Sequence, residues 1–322
     1  MVDTGADVAL NYYWEDSFAT DSPSDTTAKV FGSNLVVDTA EGNNQLTGIT
    51  RPGSNNYQDF VEGPFIGRWG VRFNITNPWW VRSLFGEPST VDNGDGTYTH
   101  TYSSGDGDSM QIGINYLNGD DVRVLEGCVP QQASVSVSPG QDPQVTLTGQ
   151  YAGERLDTGT TAQVTTSERQ LTFAQSHADF AGSEKLLVQS ADLNLGVNAE
   201  VLNAIGTRFG VGYVSRLIEP DLNITQYQEG SDVTDIEEFY GGSGETEPQD
   251  NIDNEVSANL RVDNEVSAGS GKNSMEFQLS GTLNDSFGDA PIGDPRQEIT
   301  ERIRKVATDM TVVATNETAT AP

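Results

Sequence analysis

Apolar and polar positions alternate with a period of two along short runs bounded by Gly, Asn, Asp and Pro, the mark of half-buried strands. The clearest are Val71–Thr76 (VRFNIT), Thr97–Tyr102, Met110–Leu117 (MQIGINYL), Gln132–Ser138 and Gln144–Thr148. Further along come Leu186–Leu195, Asp221–Tyr227, Val256–Val262, Ser274–Ser280 and Met310–Thr315. Asp92–Gly96 (DNGDG) links two such runs and reads as a hairpin turn, because Gly and Asn tolerate positive φ. The pattern predicts a chain that is almost all strand and turn.

Three short helices are expected. Asn77-Pro78 before Trp79–Phe85 supplies a cap, a first-turn proline and two apolar turns that stop at Gly86. Thr234-Asp235-Ile236-Glu237 has capping-box spacing and stops at Gly241. From Asp294-Pro295-Arg296-Gln297 onward, Ile299, Ile303 and Val306 fall on one helical face, with Glu298, Glu301, Arg302, Arg304 and Lys305 on the other. This third segment is expected to pack as a helix on a sheet.

Residues 1–60 are polar and turn-rich, with aromatics at Tyr12, Tyr13, Trp14 and Phe31, and are expected to form an extended arm. Residues 61–322 would form one β domain, with 241–253 (GGSGETEPQDNID) as an inserted acidic loop. There is a faint internal echo. Phe73-Asn74-Ile75-Thr76, a helix ending at Phe85-Gly86 and Ser109–Ile114 are followed later by Leu222-Asn223-Ile224-Thr225, a helix ending at Tyr240-Gly241 and Ser274–Leu279.

Charge changes the picture. The 322 residues carry 48 acidic and 17 basic side chains, a net charge of −31, and the basic ones are 13 Arg but only 4 Lys. Such self-repulsion destabilises a compact state at ordinary ionic strength. In molar salt the Debye length falls to about 3 Å and the repulsion is largely screened. A working environment of very high salt is therefore expected, and tight binding to nucleic-acid phosphate is disfavoured. No apolar stretch approaches the roughly 20 residues of a membrane-spanning helix, so no membrane insertion is expected. The N-terminus lacks a basic and apolar leader, and one cysteine, Cys128, cannot form an intrachain disulfide.

Candidate chemistry is sparse. His100 and His177 stand in strand-like surroundings, and Cys128 has no basic neighbour to activate it. Gly269-Ser270-Gly271-Lys272 lacks the upstream glycine of a phosphate loop and is followed by Asn273. The Asp-rich turns at Asp92–Asp95 and Asp106–Asp108 do not fit a calcium loop. No enzyme activity, metal or cofactor is expected.

The order of segments resembles the tail tube proteins of long-tailed viruses. The resemblance is carried by Tyr13–Thr20 (YWEDSFAT), Phe31-Gly32, Gly48–Gly53 (GITRPG) and Gly67–Phe73 (GRWGVRF), then Asn77-Pro78-Trp79-Trp80. It continues through Leu125–Val137 (LEGCVPQQASVSV) and Gln144–Gly149 (QVTLTG). The family implies an antiparallel β-sandwich or barrel-like subunit with a few short helices. It further implies subunits that join in rings, usually of six, and stack into a hollow tube.

The partners implied are further copies of the chain, other tail proteins, and viral DNA that passes through the bore without tight binding. The location implied is the virion tail, assembled in the host cytoplasm. A strongly negative bore would let DNA slide, and the acidity suggests the virus of a haloarchaeon. Tyr12, Tyr13, Trp14, Phe31, Trp79 and Trp80 are the candidate assembly residues. Two alternatives stand beside this reading: a hub or completion protein with duplicated tube units, which can form trimers, and a halophilic surface or fibre protein that binds carbohydrate through exposed Trp79.

Overall fold

The computed structural model describes residues 8–19, 28–53, 55–103, 105–116, 121–158, 170–180, 183–185, 187–215, 217–227, 234–252, 255–264, 266–267, 269–290 and 300–319. The first half of the chain runs β1 (Val8–Trp14), β2 (Ser33–Asn43), β3 (Leu46–Thr50), β4 (Tyr57–Glu62) and β5 (Ile66–Asn74). A 3-10 turn, Trp79–Val81, leads into α1 (Arg82–Phe85). There follow β6 (Ser89–Asp92), β7 (Tyr98–Tyr102), β8 (Met110–Tyr116), β9 (Asp121–Val137), β10 (Gln144–Tyr151) and β11 (Gly153–Thr158). The second half runs β12 (Thr172–Phe180), β13 (Ser183–Lys185), β14 (Val188–Gly196), β15 (Glu200–Asn203), β16 (Gly210–Val214) and β17 (Glu219–Tyr227). It closes with α2 (Thr234–Tyr240), β18 (Val256–Asp263), β19 (Ser274–Ala290), β20 (Thr300–Val306) and β21 (Asp309–Asn316). The fold is mainly β, and every strand pairing among the described residues is antiparallel.

The strand runs read from the pattern each fall on a strand, with Leu117 and Leu186 outside the described residues, and the DNGDG turn joins β6 to β7. Two of the three helices form where expected and stop at Gly86 and Gly241, both at positive φ, where a side chain would be strained. The third expectation is corrected. Residues 291–299 lie outside the described residues, and from Thr300 the chain is strand β20. Ile303 and Lys305 point inward while Arg302 is exposed, a period of two. Strands β17 and β19 flank β20 and take both sets of its backbone groups, which overrides the helical spacing of Ile299, Ile303 and Val306.

One large sheet organises the molecule. Its eight strands run in the order β2, β5, β10, β9, β14, β17, β20, β19. Two smaller sheets pack against one of its faces. The first is β1, β8, the beginning of β9 and β11. The second is β13, β12, β18, the beginning of β19, β21, β7 and β6. Strands β9 and β19 each pass from a small sheet into the large one, so they turn a corner of a barrel-like sandwich. The core between the layers includes Trp69, Val71, Phe73, Val135, Leu147, Leu193, Leu222 and Ile224.

The two halves are one unit built twice. Strands β1, β2, β5, β8, β9, β10 and β11 correspond to β12, β14, β17, β18, β19, β20 and β21, because each set is paired in the same way. Hairpin β3–β4 corresponds to β15–β16, and α1 to α2. The corner is turned at Gly127 (φ 64) in β9 and Gly281 (φ 60) in β19. Four residues beyond each glycine an extra residue bulges from the ladder, Gln131 in β9 and Asp285 in β19. The echo in the sequence thus marks a real repeat, with its last member reassigned: Ser274–Leu279 is the counterpart of the beginning of β9, whereas Ser109–Ile114 runs into β8.

Among the described residues two strand pairings join the halves. In the large sheet β9 pairs with β14, from Ala191↔Val137 to Gly196↔Gln132. In the small sheet β7 of the first unit pairs with β21 of the second.

Candidate assembly surfaces

Of the six aromatic residues expected at subunit contacts, five lie inside the chain's own core. Tyr12 (0% exposed) stacks at 4.5 Å from Phe31 (0%), which touches Phe73, which meets Trp80 (0%) edge-on. Trp14 lies edge-on to Tyr12 under the Arg82 guanidinium, and Trp79 lies edge-on to His100. Tyr13 alone is half-buried. In the stretch expected as an arm, β1 pairs with β8 and β2 with β5, so both belong to the body.

The exposed apolar side chains gather elsewhere. Hairpin β3–β4 shows Leu46, Ile49, Tyr57, Phe60 and Val61 to solvent. Hairpin β15–β16 and its flanks show Leu202, Ile205, Phe209, Val211 and Val214. Both leave the large sheet at the same rim, since the one follows Asn43 and the other Gly196 at equivalent ladder positions. The connecting loop of the second is fastened to the base of the first. Arg208 donates to Glu62 (2.9 Å), to Asn44 (2.9 Å) and to the Gly63 carbonyl, and Phe65 packs on Phe209.

The outward face of the large sheet is bare. Along β9, β10, β14 and β17 the inward positions are apolar apart from Gln226, whereas the outward ones are Ser, Thr, Asn, Gln and Asp, such as Ser134, Thr146, Asn194 and Asn223. Four arginines stand on this face among carboxylates. Arg72 reaches Asp38 at 3.4 Å, Arg304 bridges Asp221 (2.9 Å) and Asp285 (2.6 Å), Arg68 lies opposite Glu41, and Arg302 follows on β20. At its two ends the sheet stops at open edges: among the described residues β2 pairs with β5 alone, and the later half of β19 with β20 alone.

Glu15, Cys128 and His100 serve the interior. Glu15 accepts hydrogen bonds from Ser109 Oγ (2.6 Å), Gly127 N (2.8 Å) and Ala19 N (3.1 Å), which ties the chain after β1 to the corner of β9. Burial raises its pKa, against the pull of those bonds. Cys128 is fully buried, and burial together with the Glu15 charge pushes its thiol up, away from the reactive thiolate. His100 bridges Thr90 and Asn316, and burial lowers its pKa. His177 meets Glu184 beside a cavity of about 220 Å³ lined partly by Phe173, Val188 and Leu260. Among the described residues no three His, Cys, Asp or Glu side chains gather as a metal site would require.

Pattern could have located the bare face, because rows of Ser, Thr, Asn and Gln alternate with apolar residues from β9 to β17. No curated protein matches the chain. The sequence model of one family, described as "Phage tail tube protein", matches residues 5–321, nearly the whole length. With that match added to the open-edged, doubled sheet, the chain belongs to the phage tail tube protein family.

Proposed function

We propose that the chain is the tail tube subunit of a long-tailed virus of a salt-loving archaeon. Copies close into rings, and the rings stack into a hollow tube that conducts viral DNA. The observation that carries this reading is the large sheet, with one face covered, one face bare and an open edge at each end. Closing such a sheet on itself places the bulky body outside and the bare face around a bore. Closure also removes two edges that would otherwise invite aggregation. The resemblance implies rings of six subunits; because each chain here brings two units, a ring of six units would instead take three chains. A hub or completion protein shares that geometry and differs in ending the tube instead of repeating along it.

The arm narrows from residues 1–60 to hairpin β3–β4. Together with β15–β16 it offers apolar side chains at one rim, where the next ring or another tail protein stacks. The wall of the bore is then the bare face, in which arginines lie beside carboxylates among neutral polar rows. This replaces the strongly negative bore suggested by net charge with a mixed wall that neither grips nor strongly repels phosphate. The carbohydrate reading loses its stacking surface, because Trp79 is only 6% exposed.

The salt-loving origin rests on where the cations are. Of the four lysines, Lys29 and Lys305 are buried and Lys185 is largely so, which leaves the acidic surface with little lysine to neutralise it.

Negative-stain electron microscopy of the purified protein in molar salt tests the reading. Hollow tubes or rings are expected; monomers at every concentration would refute it. Its melting temperature should fall markedly between about 1 M and about 0.1 M salt as screening is lost. No change would remove the halophilic origin.

A further inference from the structure

We propose that neighbouring copies join by the same operation that joins the two halves of one chain, so that the register of the contact between copies can be read from the contact inside the chain. This rests on the ring-forming reading above. Inside the chain the later part of β9 pairs with β14, and their counterparts are the later part of β19 and β2. Those counterparts are the two strands that end the large sheet.

The register follows from two alignments. Counting past the corner glycines and the single bulge after each, Gln132, Ala133 and Ser134 correspond to Ser286, Phe287 and Gly288. Counting through the partners of β5 and β17, Leu193, Asn194, Leu195 and Gly196 correspond to Ala40, Glu41, Gly42 and Asn43. The internal pairs Asn194↔Ser134, Leu195↔Ala133 and Gly196↔Gln132 then become Glu41↔Gly288, Gly42↔Phe287 and Asn43↔Ser286 between copies. The chemistry fits. Glu41, Asn43, Ser286 and Gly288 are all exposed on the bare face, and an added Cβ at Gly288 would meet nothing within 4 Å, so the Glu41 side chain of the next copy has room. The next strand row beyond Gly288 holds Arg302, a cation for that carboxylate.

The second stitch transfers in the same way. Strand β7 lies between α1 and β8 and pairs with β21; the segment between α2 and β18 is the acidic loop, and the counterpart of β21 is β11. The same operation therefore brings the acidic loop of one copy against β11 of the next. Strand β11 has the feature of a surface waiting to be covered. Leu156 is 74% exposed, whereas its counterpart Val312, at the same ladder position across from β19, is fully buried.

Engineered cysteines test this cleanly, since Cys128 is the sole cysteine and is buried. Antiparallel partners have Cα atoms about 4.5–5.5 Å apart, within disulfide range. The double variant Glu41→Cys/Gly288→Cys, oxidised in high salt, should lose most of its monomer band to a ladder of covalent multimers on a non-reducing gel. The internal control, Ser134→Cys/Asn194→Cys, should oxidise without forming multimers. Leu156→Asp should leave the melting temperature of single chains unchanged while shifting assembly to higher concentration. Rings or tubes that form without the 41–288 bridge, or that ignore Leu156→Asp, would overturn the proposed junction and leave the tube reading standing. Wild-type protein that never assembles would overturn both.

Discussion

The first unit seats its helix with hydrocarbon, and the second seats its helix with ions. Around α1, Trp80, Leu84 and Phe85 are buried against Phe73 and the aromatic column that continues through Phe31 to Tyr12. Around α2, Asp235 meets Lys185 at 3.0 Å and accepts from Gln226, while Glu238 meets Lys305 at 3.0 Å. Lys305 is fully buried, also donates to Asn284 (2.7 Å), and lies 4.6 Å from the Phe180 ring centre. At matching ladder positions Trp69 faces Gly149 in one unit and Leu222 faces Lys305 in the other. The shared architecture therefore does not depend on shared core chemistry. What the units have in common is backbone: a positive-φ glycine, a bulge four residues later, and the pairing order.

The comparison breaks most visibly at the aromatic column. Trp80→Ala should cost about 3–5 kcal/mol in denaturant unfolding, because the cavity is ringed by aromatics that cannot collapse into it. A loss under about 1 kcal/mol would show that the column is not what holds α1.

In the second unit Lys305→Met should cost a similar amount, about 3–5 kcal/mol, by stranding Glu238. Here the double variant Lys305→Met/Glu238→Leu should recover most of the loss, since removing both charges also removes their desolvation. Failure to recover would mean that Lys305 acts through Asn284 and Phe180 more than through the ion pair.

A smaller effect probes the shared backbone. Gly281→Ala places a Cβ at positive φ against the Thr308 side chain and should cost about 1–2 kcal/mol for the left-handed conformation, more if Thr308 cannot rotate away. Gly127→Ala should behave alike, its Cβ meeting Ala152 and Phe18. A neutral result at both would argue that the corner tolerates another geometry.

The smallest test is pH. The pKa of Glu15 is raised in the folded chain, so the folded state binds this proton more tightly than the unfolded one. Its stabilising effect is full below the ordinary value near 4.5 and is lost as pH rises through the raised value. Glu15→Gln does not titrate, so its melting temperature relative to wild type should climb across that window. A flat difference would exclude ionisation at this site.

Legibility in the sequence followed the physics of each segment. Runs such as Val256–Val262 and Met310–Thr315 alternate strictly and were readable. Strand β20 was not, because Ile303 and Val306 also satisfy a helix and only the flanking strands decide between the two. The repeat survived in the helix stops and little else, since pairs such as Gly149 and Lys305 share no side-chain property. Aromatic clusters pointed inward because a ring is as useful in a core as at an interface. The bare face was legible in principle, since its polar rows repeat from strand to strand, but the open edges at either end depend on pairings between distant segments.

In the ring proposed above, duplication within one chain also sets how mutations are felt. In a tube of identical single units, a substitution strikes every position at once. With two units fused, a change in Leu156, in the acidic loop or in hairpin β15–β16 falls on alternate positions only. Half the circumference keeps its original surface, which leaves each half of the gene free to drift toward a different neighbour.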